Sequence, residues 1–111
     1  MALTREFKDT VLARAQRDPA FREGLLTEAF ECFLAGDLDT GKILLRDYVN
    51  ATIGFQKLSR LMKKKDTSVK RMLGPSGNPA ANNLFAMTQL LQRQEGVTLK
   101  VVTEHRKRSA A

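Results

Sequence analysis

Seven cations crowd one short stretch of this chain. Residues 57–73 carry Lys57, Arg60, Lys63, Lys64, Lys65, Lys70 and Arg71 against Asp66 alone. Ammonium and guanidinium groups bind phosphate oxygens, and arginine or lysine can also donate to the O6 and N7 of guanine. Serine and threonine hydroxyls can bond either kind of base edge. Thr67, Ser68, Lys70 and Arg71 are of the base-reading types, and Lys63, Lys64 and Lys65 of the phosphate-binding type. This is the chemistry of recognition rather than of bond making. The single histidine, His105, lies in a polar tail, and the single cysteine, Cys32, falls on an apolar helix line where it serves as a small core residue. No metal-ligand spacing, phosphate loop or catalytic triad is present, so no catalytic residue, metal ligand or cofactor is expected and the chain is not read as an enzyme.

These residues need elements to hold them, and the spacing predicts six helices. Leu3, Phe7, Val11 and Ala15 recur every four residues, which predicts a helix over 4–17. It stops before Pro19, because the residue preceding proline avoids the α region. Asp18 caps a second helix with Pro19 at its first position, where a missing N–H costs nothing. That helix runs to about Leu34, with Phe21, Leu25, Ala29 and Cys32 on one line and Leu26, Phe30 and Phe33 beside it. Gly36 ends it in a left-handed cap. A third helix starts at Asp37 or Asp39 and sets Leu44, Tyr48 and Ala51 on one face, flanked by Ile43 and Leu45.

The fourth helix starts near Gly54, with Phe55, Leu58, Leu61 and Met62 inward and Gln56, Lys57, Ser59 and Arg60 outward. Lys63–Lys65 make a turn. Asp66 is the expected cap of a fifth helix, Thr67 to Leu73, whose inward residues are Val69, Met72 and Leu73. Thr67, Ser68, Lys70 and Arg71 are left facing out. The loop Gly74–Pro79 cannot be helical throughout. A sixth helix covers about Ala81 to Gln94, with Leu84, Phe85, Thr88 and Leu91 inward. Two short helices across a tight turn are what lays a helix into the DNA major groove, where the N-terminal part of the second helix meets the bases. Gln56, at the start of the fourth helix, and Asn78, Asn82 and Asn83, about the start of the sixth, join Lys57 and the three turn lysines as candidate phosphate contacts, because helix N-termini attract anions. Turn formation and capping are the alternative use of the asparagines.

The period changes after Gly96. Val97, Leu99 and Val101 alternate with Thr98 and Lys100, a strand pattern over 96–103. A lone strand is not stable, so these three residues are expected to pair with their copies in a homodimer. Two copies would also give the half-site spacing that a short reading helix needs for specificity. The basic tail, about 104–111, is expected to be disordered. No internal repeat is present.

The whole chain, 111 residues and 12.4 kDa with 42% hydrophobic residues, has the size and composition of one soluble, mainly α domain. Its parts are an N-terminal helical extension (1–36), a DNA-binding bundle (37–94), the strand and the tail. One cysteine permits no internal disulfide, and neither a signal peptide nor an apolar membrane span is evident, so a cytoplasmic location is expected, with no membrane partner. Residues 1–50 hold seven basic and nine acidic groups, net −2, and residues 51–111 hold twelve and three, net +9. Two surfaces with different partners are implied.

The segment Gly54–Leu91 resembles the Cro/repressor-type helix-turn-helix of addiction-module antidote proteins, the HigA-like antitoxins of prokaryotic toxin–antitoxin pairs. The resemblance rests on Gly54-Phe55 and Leu58, then Thr67-Ser68-Val69-Lys70-Arg71-Met72-Leu73, Gly77-Asn78-Pro79, and Asn83-Leu84 leading to Leu91. It extends over roughly 37–103, the strand-like 96–102 included. Lys63–Lys65 stand where small or Gly-like residues are common in that family, and Ser59 where Ala is usual. The resemblance implies a mainly helical homodimer in a prokaryotic cytoplasm that represses its own operon at double-stranded operator DNA. It also implies a partner, a small RelE/HigB-like ribonuclease toxin that it neutralises, and it makes Thr67, Ser68, Lys70 and Arg71 the DNA-reading positions. A stand-alone phage or chromosomal repressor without a toxin, and an RNA-binding regulator, remain the alternatives. Against the second, the chain has no aromatic stacking platform.

Overall fold

Asp18 is where the N-terminal part of the chain reverses. Its carboxylate accepts from the N–H groups of Ala20 and Phe21, at 3.1 and 3.2 Å, and Pro19 follows at the first helical position. In the computed structural model, residues 5–107 are described. They form six α-helices: α1 (Arg5–Arg17), α2 (Pro19–Leu34), α3 (Leu38–Ala51), α4 (Phe55–Met62), α5 (Asp66–Met72) and α6 (Ala81–Glu95). Leu3, the start of the first expected stripe, and the end of the tail lie outside the described residues. Gly36 takes φ 85° after α2, and Asp37 opens α3 by accepting from the Thr40 N–H at 3.2 Å.

One apolar core joins the described helices. It draws Ala15 from α1, Leu25, Leu26 and Ala29 from α2, Leu45, Tyr48 and Val49 from α3, Phe55 and Leu58 from α4, Val69 from α5, and Met87 and Leu91 from α6. α2 and α3 approach closely at Gly41, where a Cβ would stand 2.3 Å from the Phe33 ring. Phe33 in turn stands edge-on to Phe30, with ring centroids 5.2 Å apart. Tyr48 is fully buried, and α3 packs against α1, α2 and α4, so it is the beam between the N-terminal pair and the basic half.

Several inward assignments shift by a residue. In α4 the buried set is Phe55, Leu58 and Ser59, and Leu61 is 42% exposed. Positions 55, 58, 59 and 62 follow the i, i+3, i+4, i+7 rule, so Ser59 lies on the core side whatever its polarity. Its hydroxyl is satisfied by the Phe55 carbonyl at 2.6 Å. In α6 the same rule selects Leu84, Met87, Thr88 and Leu91, and Phe85 is 64% exposed. In α3, Val49 is buried and Ile43 is 46% exposed.

Residues 97–107 carry no strand. Val97 and Leu99 are partly buried against the core of their own chain, while Val101 is 81% exposed. The Leu99 N–H donates to Gln92 Oε1 at 2.8 Å, and Val97 follows the left-handed cap at Gly96. The alternation expected to pair two chains is thus used for two of its three residues within one chain: an extended segment laid on a helix has the same inward–outward period as a strand. The expected strand is therefore absent among the described residues, and Val97 and Leu99 make contacts within their own chain.

Candidate nucleic-acid interface

The turn between α4 and α5 is built by Lys63 in the left-handed conformation, φ 57° and ψ 44°. Its N–H bonds the Arg60 carbonyl at 3.1 Å, and the Lys64 N–H bonds the Ser59 carbonyl at 3.0 Å. This pair of bonds is a Schellman closure, which usually places glycine at the left-handed residue. Gly36 and Gly96 close α2 and α6 with the same pair of bonds. At Lys63 the chain puts a cation there instead, although a side chain in this region costs about 1–2 kcal/mol. Lys63, Lys64 and Lys65 are all exposed.

Helix α5 begins at Asp66, one residue before the expected start, and ends at Met72. Asp66 is its first residue, not its cap; Lys65 occupies the cap position without a side-chain hydrogen bond. The Asp66 carboxylate instead sits 3.6 Å from Lys70 Nζ, one turn on, and favours the positive end of the helix. Thr67, Ser68, Lys70 and Arg71 are all exposed, and Val69 is fully buried. At 3.6 residues per turn the four fall within an arc of ~160°, with Val69 opposite its centre. Leu73, just past the helix, is buried as well.

The helix N-termini separate the two halves of the molecule. α2 and α3 are capped by aspartate side chains, whereas the starts of α4, α5 and α6 have no side-chain cap. Gln56 is exposed in the first turn of α4, after Gly54 at φ 78°. Asn82 is exposed and Asn83 half-buried in the first turn of α6, and Asn78 is exposed in the loop before it. The asparagines therefore do not cap α6, whose cap position is Ala80. Lys57 is exposed, but it lies at the rim of a cleft of about 400 Å³ that also includes Arg22, Tyr48, Thr52 and Glu95.

Arg22 and Glu95, both missed by sequence reasoning, join Tyr48 in holding this half against the other. Arg22 Nε donates to Glu95 Oε1 at 2.8 Å and its Nη1 to the Ala15 carbonyl at 2.8 Å; the Tyr48 hydroxyl donates to the same Glu95 oxygen at 2.5 Å. The network joins α1, α2, α3 and α6. Burial raises the Glu95 carboxyl, but the two hydrogen bonds outweigh it and hold the pKa below the ordinary value. Burial, with the bond to Glu95, pushes the Tyr48 phenol upward. The bond to Glu95 raises the Arg22 guanidinium against a smaller desolvation effect. Lys42 is also buried, on α3, against the loop that follows α5. A signal existed for each: Arg22, Lys42 and Glu95 stand at helical spacing from Leu26, Leu45 and Leu91, charged residues on apolar lines.

Cys32 is half-buried, and burial raises its thiol above the usual value, which disfavours a reactive thiolate. Among the described residues no group of three His, Cys, Asp or Glu side chains could hold a metal ion, and no helix is long and apolar enough to cross a membrane. No protein-family model, no curated protein and no solved structure matches this chain.

Proposed function

We propose that this protein is a sequence-specific DNA-binding repressor that places α5 in the major groove. One observation carries the reading: Thr67, Ser68, Lys70 and Arg71 share the exposed arc of a short helix, opposite buried Val69, directly after a turn of three exposed lysines that opens on left-handed Lys63. Base-reading side chains and phosphate-binding cations are thereby adjacent but distinct, the division that specific DNA recognition needs. The uncapped starts of α4 and α6, with Gln56, Asn82 and Asn83, supply free N–H groups for backbone phosphates. In this reading the protein acts as a homodimer on a palindromic operator, in a prokaryotic cytoplasm, and performs no catalysis.

The experiment is selection of duplexes from a random pool by the purified chain, followed by mobility-shift titration. A recurrent half-site whose binding is lost in the double variant Lys70→Ala/Arg71→Ala supports the assignment. Normal binding by that variant refutes it.

The antitoxin role rests on the resemblance and on the acidic N-terminal half. Glu23, Glu28 and Glu31 are exposed along α2, on a surface separate in sequence from the DNA-reading helix and suited to a basic partner such as a small ribonuclease toxin. Affinity capture from the native host is the check. Recovery of a small basic protein that the chain neutralises supports an antidote; consistent failure to recover one favours a stand-alone repressor.

A further inference from the structure

We propose that Lys42, outside the helix-turn-helix, is a positioning residue for sequence readout: it locks the C-terminal end of α5 and so fixes where Arg71 points. The inference rests on the DNA-binding reading above.

Lys42 is only 3% exposed, on α3. Its Nζ donates to the Gly77 carbonyl at 2.7 Å and the Gly74 carbonyl at 3.0 Å, with the Pro75 carbonyl at 3.5 Å. The Asp39 carboxylate is 3.7 Å away but 87% exposed, so the loop carbonyls are the main partners of the ammonium. Those carbonyls open and close a tight turn, in which the Gly77 N–H bonds the Gly74 carbonyl at 3.0 Å. The turn rests directly on the last residues of α5. The Gly74 N–H bonds the Arg71 carbonyl at 3.1 Å, and a Cβ at Gly77 would stand 2.0 Å from that carbonyl oxygen and 2.8 Å from that of Met72. Any side chain at 77 would therefore lift the turn off the helix.

Helix α5 has seven residues and packs mainly on α4, so its far end needs an anchor. The helix leaves unpaired carbonyls at that end, and a buried ammonium nearby satisfies the turn that covers them while complementing the helix dipole. The path from the beam helix to the reading side chain is thus continuous: α3, Lys42 Nζ, the 74–77 turn, the Arg71 backbone. Base contacts need placement within about 0.5 Å, whereas exposed lysines find phosphates by flexible reach. Releasing the anchor should therefore remove discrimination and leave general DNA affinity intact.

The test compares wild type with Lys42→Met and, acting from the opposite side of the same contact, Gly77→Ala. Each full-length chain is titrated over a range of salt against the duplex selected by wild type and against a scrambled duplex. The expected result is a ratio of specific to non-specific affinity that falls roughly tenfold or more, the scale of one misplaced base contact. The scrambled-duplex affinity and salt slope should be unchanged. Hydrogen exchange of the free proteins, which needs no DNA, should show faster exchange at amides 71–77 in both variants. Equal losses on both duplexes, an unchanged ratio, or unchanged protection at 71–77 in folded Lys42→Met overturns the positioning role. Failure of wild type to select any sequence instead overturns the DNA reading on which it rests.

Discussion

At the scale of residues, the exposed faces of α4 and α5 divide into two kinds of work. Removing Lys70 or Arg71 singly to alanine should cost about 1–3 kcal/mol on the selected duplex and little on a scrambled one. Lys64→Ala should weaken both duplexes alike and reduce the salt slope by about 1, one phosphate contact fewer. Lys63 combines a structural cost with a functional gain. Because it holds a left-handed backbone at φ 57°, Lys63→Gly should raise stability by ~0.5–1 kcal/mol in denaturant unfolding while weakening DNA binding. A variant that is less stable, or one that binds as tightly as wild type, would show that the lysine is there for another reason.

At the scale of elements, helix boundaries were legible because their determinants are local. Asp18-Pro19, Asp37, Gly36 and Gly96 act through their own backbone neighbours, and the helices start and stop within a residue or two of the places these residues mark. Asp18→Ala should accordingly cost about 1 kcal/mol through loss of the α2 cap. Faces were less legible where side-chain type was allowed to outvote position. Side-chain type points Ser59 outward and Phe85 inward; the helical period puts both the other way. The same conflict of charge with position holds at Arg22, Lys42 and Glu95, whose partners lie up to 73 residues away in sequence.

The Arg22–Glu95–Tyr48 joint makes a pH prediction. The folded Glu95 carboxyl sits below its ordinary value of 4.5, so its stabilising contribution is complete above that value and is lost as pH falls through the lowered one. The folded Tyr48 phenol sits above its ordinary 10.0, so its contribution is complete below that value and is lost as pH rises past it. In Glu95→Gln the acid limb of the plot of urea midpoint against pH should be shallower than in wild type, while the alkaline limb, set first by burial of Tyr48, should change less. A superimposable acid limb would mean that Glu95 carries no linked proton.

At the scale of the whole molecule, the C-terminal segment decides how a dimer should be tested. Because Val97 and Leu99 pack on their own chain, deleting the full segment would damage the core and confuse two effects. Ending the chain after Lys100 keeps that packing and removes exposed Val101 and Val102. Light scattering should then find monomers, and operator affinity should fall; a persistent dimer would move the interface elsewhere on the molecule.

By itself the sequence determined the six helices, the Asp18 cap of α2, the charge asymmetry and the outward set Thr67, Ser68, Lys70 and Arg71. All of these follow from interactions between residues a few positions apart and from the 3.6-residue period. Only the tertiary structure decided that Val97 and Leu99 pack on their own chain, that Tyr48 and Glu95 share a part-buried bond, and that Lys42 grips the loop behind α5. Each of those depends on which distant surface meets a given face, and that is set by the packing of all the helices at once rather than by any local pattern.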